Sequence, residues 1–98
     1  MTPNAALKAI REAVRQGRHF LHDHAKDRMK LRKIAYQDVE HALRYSNMIE
    51  PYAGGFHDDD DSTSWRVEGP TVDQKRLALG VQLTLTEPGH YVLVITVF

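Results

Sequence analysis

The sequence predicts an α+β fold in which N-terminal helices pack on a small antiparallel β-sheet. Three observations predict it. Apolar residues recur at three- and four-residue spacing up to about residue 45, the period of an amphipathic helix. From about residue 46 they alternate in twos, the period of a half-buried strand. The 98 residues show no repeat and no linker, so they make a single domain around one core. Its helical part spans 1–45 and its β-sheet part 46–98.

Thr2-Pro3 reads as an N-cap followed by proline in the first turn. Ala6, Leu7, Ile10, Ala13 and Val14 then line one face, which predicts a helix over 3–16. Gly17 stops it. His19-Phe20-Leu21 reads as a short connector or the entry to a second helix at about 22–33. A third helix runs from about 36 to 45 with Tyr36, Val39, Ala42 and Leu43 inward.

Met48–Tyr52 reads as a strand that Pro51 ends or holds at a sheet edge. Residues 53–62, AGGFHDDDDS, are expected to form a flexible polar loop. Trp65–Gly69 reads as a strand. In Arg76–Thr86, Leu77, Leu79, Val81, Leu83 and Leu85 share a face. Glu87-Pro88-Gly89-His90 carries proline and glycine where a type II turn wants them. Tyr91–Phe98 is almost wholly apolar, which predicts a central strand.

Composition excludes several classes of function. With no cysteine there is no disulfide framework, thiolate zinc site or cysteine nucleophile. That suits a reducing compartment such as the cytoplasm. The N-terminus lacks the apolar run of a signal peptide, and no stretch is long and apolar enough to span a membrane. No P-loop, dinucleotide fingerprint or serine-nucleophile motif appears. The net charge is zero, yet residues 1–50 hold ten Lys/Arg against six Asp/Glu, and residues 51–98 hold three against seven. A basic half can face a polyanion such as RNA or an acidic protein, or the two halves can attract each other.

The stretch HDHAKDRMKLRKI, residues 22–34, places charge where a helix hides apolar groups. On a helical wheel His24, Arg28 and Arg32 stack at i, i+4 and i+8 beside Leu21, Ala25, Met29 and Leu31. Lysines and aspartates occupy the other arc. Partly buried arginines are costly unless paired or turned toward an anion. Two guanidiniums beside an imidazole suit a phosphate: the guanidiniums bind the oxyanion and the imidazole moves a proton. Alternatively, these arginines pair with carboxylates such as Glu50, Glu68 or Asp73. His57 and the Asp58–Asp61 run could collect a hard cation, or form a solvated loop. His19 and His22 become ligands only if their connector bends. Trp65 and Tyr91 read as core or sheet-face residues rather than base-stacking platforms.

HAKDRMKLRKIAYQDVEHAL resembles the signature of a small bacterial family, domain of unknown function 4258. The matching positions are His24-Ala25, Arg28-Met29, Arg32, Ile34 and Asp38-Val39. Arg66-Val67-Glu68-Gly69 matches a strand motif R-V-x-G, and Thr96-Val97-Phe98 matches a closing T-x-[YF]. Ala35 stands where many relatives carry a capping Ser or Thr. The resemblance implies the barnase, EndoU, colicin and RelE-like nuclease fold. It implies a metal-independent endoribonuclease without cofactor, the toxin of a toxin–antitoxin pair. Its partners would be RNA and a cognate antitoxin. RNA would be cleaved by its own 2′-hydroxyl, leaving a 2′,3′-cyclic phosphate. His24 would be the general base or acid. Arg28, Arg32 and Arg66 would stabilise the charged phosphorane, and Thr96 would support them. A non-catalytic RNA- or protein-binding module on the same fold is the alternative.

Overall fold

Three helices cover one face of a five-stranded sheet in the computed structural model, which describes residues 1–54 and 61–98. His57 and Asp58–Asp60 lie outside the described residues. The elements run α1 (Pro3–Arg15), β1 (His19–Leu21), α2 (Asp23–Arg32), α3 (Tyr36–Arg44), β2 (Met48–Pro51), β3 (Ser62–Pro70), β4 (Arg76–Thr86) and β5 (Gly89–Val97). The strand order is β1-β5-β4-β3-β2. No helix among the described residues is long and apolar enough to cross a membrane.

Local chemistry sets the helix ends. The Ala5 N–H donates to Thr2 Oγ1 at 3.2 Å, and Pro3 opens α1. Gly17 leaves α1 at a φ of 76°, a conformation that costs glycine little. Helix α2 begins with His22, whose Nδ1 accepts the His24 N–H at 3.1 Å. It ends at Lys33 in the left-handed conformation, with Ile34 N–H on Met29 O and Lys33 N–H on Lys30 O. That is a Schellman closure with lysine where glycine is usual. Ala35 supplies no side-chain cap to α3. The other end of α3 is closed by Arg11 of α1, whose guanidinium donates to Ser46 O through Nε at 2.7 Å and also through Nη2.

The core lies between helices and sheet. Ala6, Ile10, Ala13 and Val14 come from α1; Val39, Ala42 and Leu43 from α3; Val67, Leu79, Val81, Val92, Val94 and Val97 from the strands. Helix α2 contributes only Ala25 and Met29. Leu31 is 76% exposed, so the inward face of α2 is narrower than the wheel predicts. The helix is short and lies mainly over β5. Tyr36 and Leu85 also stand exposed rather than inward.

The sheet departs from the expected one in three places. Strand β1 pairs in parallel with β5, His19 against Val92 and Leu21 against Val94. Three residues carry no readable period, and their partner lies some seventy positions away. The β4–β5 hairpin turns on Glu87-Pro88, with Thr86 opposite Gly89, one residue earlier than the expected turn. Strand β3 begins at Ser62, inside the stretch expected to be loop. Met48–Pro51 does form an edge strand, as Pro51 predicts.

Candidate functional site

The sheet face away from the helices carries a polar row. Glu50 stands opposite Arg66, Arg66 opposite Gly80, and Gly80 opposite Thr96, across four strands. Their neighbours Val67, Leu79, Val81 and Val97 point into the helix-covered core, so strand alternation sends the row to the other face. Thr96 reaches that face because of a bulge. Val92 and Val94 face the core, and strict alternation would send Thr96 there too. Between Val81↔Val94 and Gly80↔Thr96 the register slips by one, so Ile95 has no partner in β4. The extra residue turns Thr96 over and seats Val97 in the core, the usual way a bulge re-aims a side chain.

Aromatic rings frame this row. The Arg66 guanidinium lies 5.3 Å from the Phe98 ring centroid. Tyr52 meets Phe98 edge-to-face at 5.4 Å. A Cβ at Gly80 would come within 2.9 Å of both Tyr52 Cε2 and Thr96 Cγ2, so a residue without a side chain lets Tyr52 roof the row. Arg66 is neutralised where it stands: Nη1 lies 3.2 Å from Glu68 Oε2 and 3.6 Å from Glu50 Oε1.

Arg28 reaches the end of β5 from the sheet edge. Its Nε donates to Val97 O at 3.4 Å, a long bond. The Phe98 N–H bonds Ala78 O on the β4 side, so the Val97 backbone points to the opposite edge, beyond the end of β1. Among the described residues neither Arg28 nor Arg32 has a carboxylate partner. His24 lies one turn before Arg28 on α2 and is exposed. Residues at this spacing have Cβ atoms about 5–6 Å apart on one helix side.

The end of β5 therefore holds Thr96 in the row with Arg66, while Arg28 meets the same strand one residue on, at the Val97 carbonyl. Arg32 is elsewhere, lining an open groove between the C-terminal end of α2 and the β3–β4 turn. Tyr52 carries no motif that singles it out in the sequence; Phe98 stands in the closing motif, and Glu50 and Glu68, expected as partners of Arg28 or Arg32, pair with Arg66 instead. The connector histidines are occupied in other ways. His19 Nε2 lies 2.7 Å from Tyr36 Oη, and burial together with the Glu40 charge raises the Tyr36 pKa. His22 caps α2. Trp65 is in the core and Tyr91 packs edge-to-face on Phe20. Among the described residues no three of His, Asp and Glu form a cluster suited to a metal ion.

Chemically, the arrangement offers a guanidinium with no carboxylate partner among the described residues, on the carbonyl that follows Thr96, and an imidazole one helical turn away. It is suited to an oxyanion and to proton transfer at its margin. Comparison with known proteins adds one finding. The profile of a family described as "Domain of unknown function (DUF4258)" matches residues 21–98. No curated protein and no solved structure matches the chain.

Proposed function

The chain belongs to the DUF4258 family, and on that premise we propose that it is a metal-independent endoribonuclease with a barnase- or RelE-like fold, the toxin of a toxin–antitoxin pair. Its partners are RNA and a cognate antitoxin protein, and it works in the cytoplasm. The observation that carries the reading is Arg28. A half-buried guanidinium without a carboxylate partner among the described residues stands at the end of β5 on the Val97 carbonyl, next in the chain to Thr96, with His24 one turn away. An unpaired, partly buried cation is best explained by an anion that it binds.

In the reaction the RNA 2′-hydroxyl gives its proton to a base and attacks the adjacent phosphorus. The bond to the 5′-oxygen breaks and that oxygen takes up a proton. The products are a 2′,3′-cyclic phosphate and a free 5′-hydroxyl. His24 moves one of these protons, Arg28 holds the charged phosphorane and the Thr96 hydroxyl supports it. Arg66 joins the phosphorane once the phosphate displaces Glu50 or Glu68. Arg32 acts farther along the RNA.

The two carboxylates on Arg66 favour a second reading, an RNA- or protein-binding module without catalysis, in which Arg66 stays neutralised. One experiment separates the two. Wild type and His24→Ala are compared for cleavage of a mixed RNA in the presence of a chelator, with thermal denaturation alongside. Loss of the general acid–base group lowers the rate about 10²–10⁴-fold. Stability stays within about 0.5 kcal/mol, as for other exposed positions. An unchanged rate in the variant refutes the assignment of His24. A wild type that binds RNA and never cleaves it leaves the binding module.

A further inference from the structure

We infer that the groove between the C-terminal end of α2 and the β3–β4 turn is a subsite for the phosphodiester backbone of single-stranded RNA, leading away from the cluster at the end of β5. The inference rests on the nuclease reading for its choice of polyanion. The groove is open and encloses about 400 Å³. Arg32 and Lys33 line it from α2, Lys75 and Arg76 from the turn and the start of β4. Asp38 and Asp73 also line it.

Charge is the first argument. Four cations face one groove against two carboxylates, and none of the six is ion-paired among the described residues. Asp38 is already engaged, with its Oδ1 accepting the Val72 N–H at 3.1 Å. Like charges gathered without partners repel one another, and a bound polyanion relieves that repulsion.

Continuity is the second argument. Arg28 holds Val97 O, and Phe98 N–H bonds Ala78 O on β4. Arg76 lies two residues before Ala78 on the same strand, about 7 Å away at the usual rise. Arg28 and Arg32 are also one turn apart on α2. A strand with one phosphate at Arg28 thus finds its next cations in the groove.

The test uses a short single-stranded 2′-O-methyl oligoribonucleotide, which lacks the attacking hydroxyl and stays intact. Its binding to the wild type and to the Lys75→Gln/Arg76→Gln double variant is followed by fluorescence anisotropy across a salt series. Each phosphate contact to a single strand contributes about 0.7 to the slope of log K against log salt. The double variant is expected to bind several-fold more weakly, with a slope shallower by about 1.4. Asp73→Asn is expected to bind more tightly than wild type. An unchanged slope, a lower melting temperature without a change of slope, or no binding by the wild type overturns the inference. Cleavage of unmodified RNA by the wild type is scored separately. Cleavage with an unchanged slope defeats the groove alone. A shallower slope without cleavage defeats the nuclease reading and keeps the groove.

Discussion

Replacing Gly69 by alanine sets a methyl group against the backbone of α3. Gly69 faces the helices from β3, and a Cβ there would lie 2.0 Å from Ala42 O and 2.8 Å from Ala42 C. Carbon and carbonyl oxygen approach to about 3.3 Å at closest, so helix and strand must part by about 1.3 Å. No side chain can rotate to relieve this, because the opposing atoms are main chain. The same helix seats Val39, Ala42 and Leu43 in the core, and all three lose contact when it retreats. Overpacking of this kind costs about 1–3 kcal/mol, and a backbone clash belongs at the upper end. In a domain of this size about 3 kcal/mol lowers the melting temperature by about 10–25 °C. Urea and thermal denaturation of Gly69→Ala measure it, with Gly17→Ala as the control. At Gly17 a Cβ meets nothing within 4 Å, so only the strain of its positive φ is felt, about 1 kcal/mol. A loss below about 1 kcal/mol at Gly69, or an equal loss at both sites, refutes the close approach of α3 to β3.

Lys33→Gly should stabilise the protein by up to about 1 kcal/mol, because lysine there holds a φ of 54° that glycine adopts freely; destabilisation in urea would show that the lysine side chain contributes more than its strain costs. The raised Tyr36 pKa means that the folded state keeps the phenol proton longer than the unfolded chain. Its contribution to stability is therefore full below the ordinary value of 10.0 and is lost as pH rises from there through the raised folded value. Tyr36→Phe removes that part of the alkaline decline, and parallel loss in both proteins above this pH would contradict the assignment. Arg28→Lys should reduce stabilisation by phosphate relative to chloride at equal ionic strength, because lysine loses the planar two-pronged donor; an equal phosphate effect in both proteins removes the oxyanion from the end of β5.

Periodicity made α1, α3 and β4 legible, since each buries one regular face against the core. Helix α2 was legible as a helix and misleading as a face. Its ten residues hide only Ala25 and Met29, too few for a wheel to locate the buried arc, and Leu31 faces solvent where the wheel predicts it inward. Strand β1 could not be seen, because a parallel edge strand of three residues is defined by its distant partner. The family motifs brought forward Arg28, Arg66 and Thr96, and the fold supplies a reason for Gly69 of R-V-x-G in the close passage of α3. The bulge at Ile95 was invisible in a run of apolar residues, and with it the face on which Thr96 stands. Of the carboxylates on Arg66, Glu68 follows two residues on along the same strand, whereas Glu50 comes from register across strands, which no local pattern encodes.

The position of β5 has a consequence for how this chain comes into being. It is the last strand in chain order, yet it sits inside the sheet with β1 on one side and β4 on the other. During synthesis the residues of the three helices and of the other four strands are all made before the strand that joins them. Chain emerges at about 5–20 residues per second, so for about a second after β4 the apolar faces of α1 and α2 have no β5 to cover. Strand β1 waits unpaired throughout, because β5 is its neighbour in the sheet. Arg28 likewise has no Val97 carbonyl to hold until then. A chain halted before β5 lacks both Thr96 and the Val97 carbonyl, so neither contact exists until that strand is made.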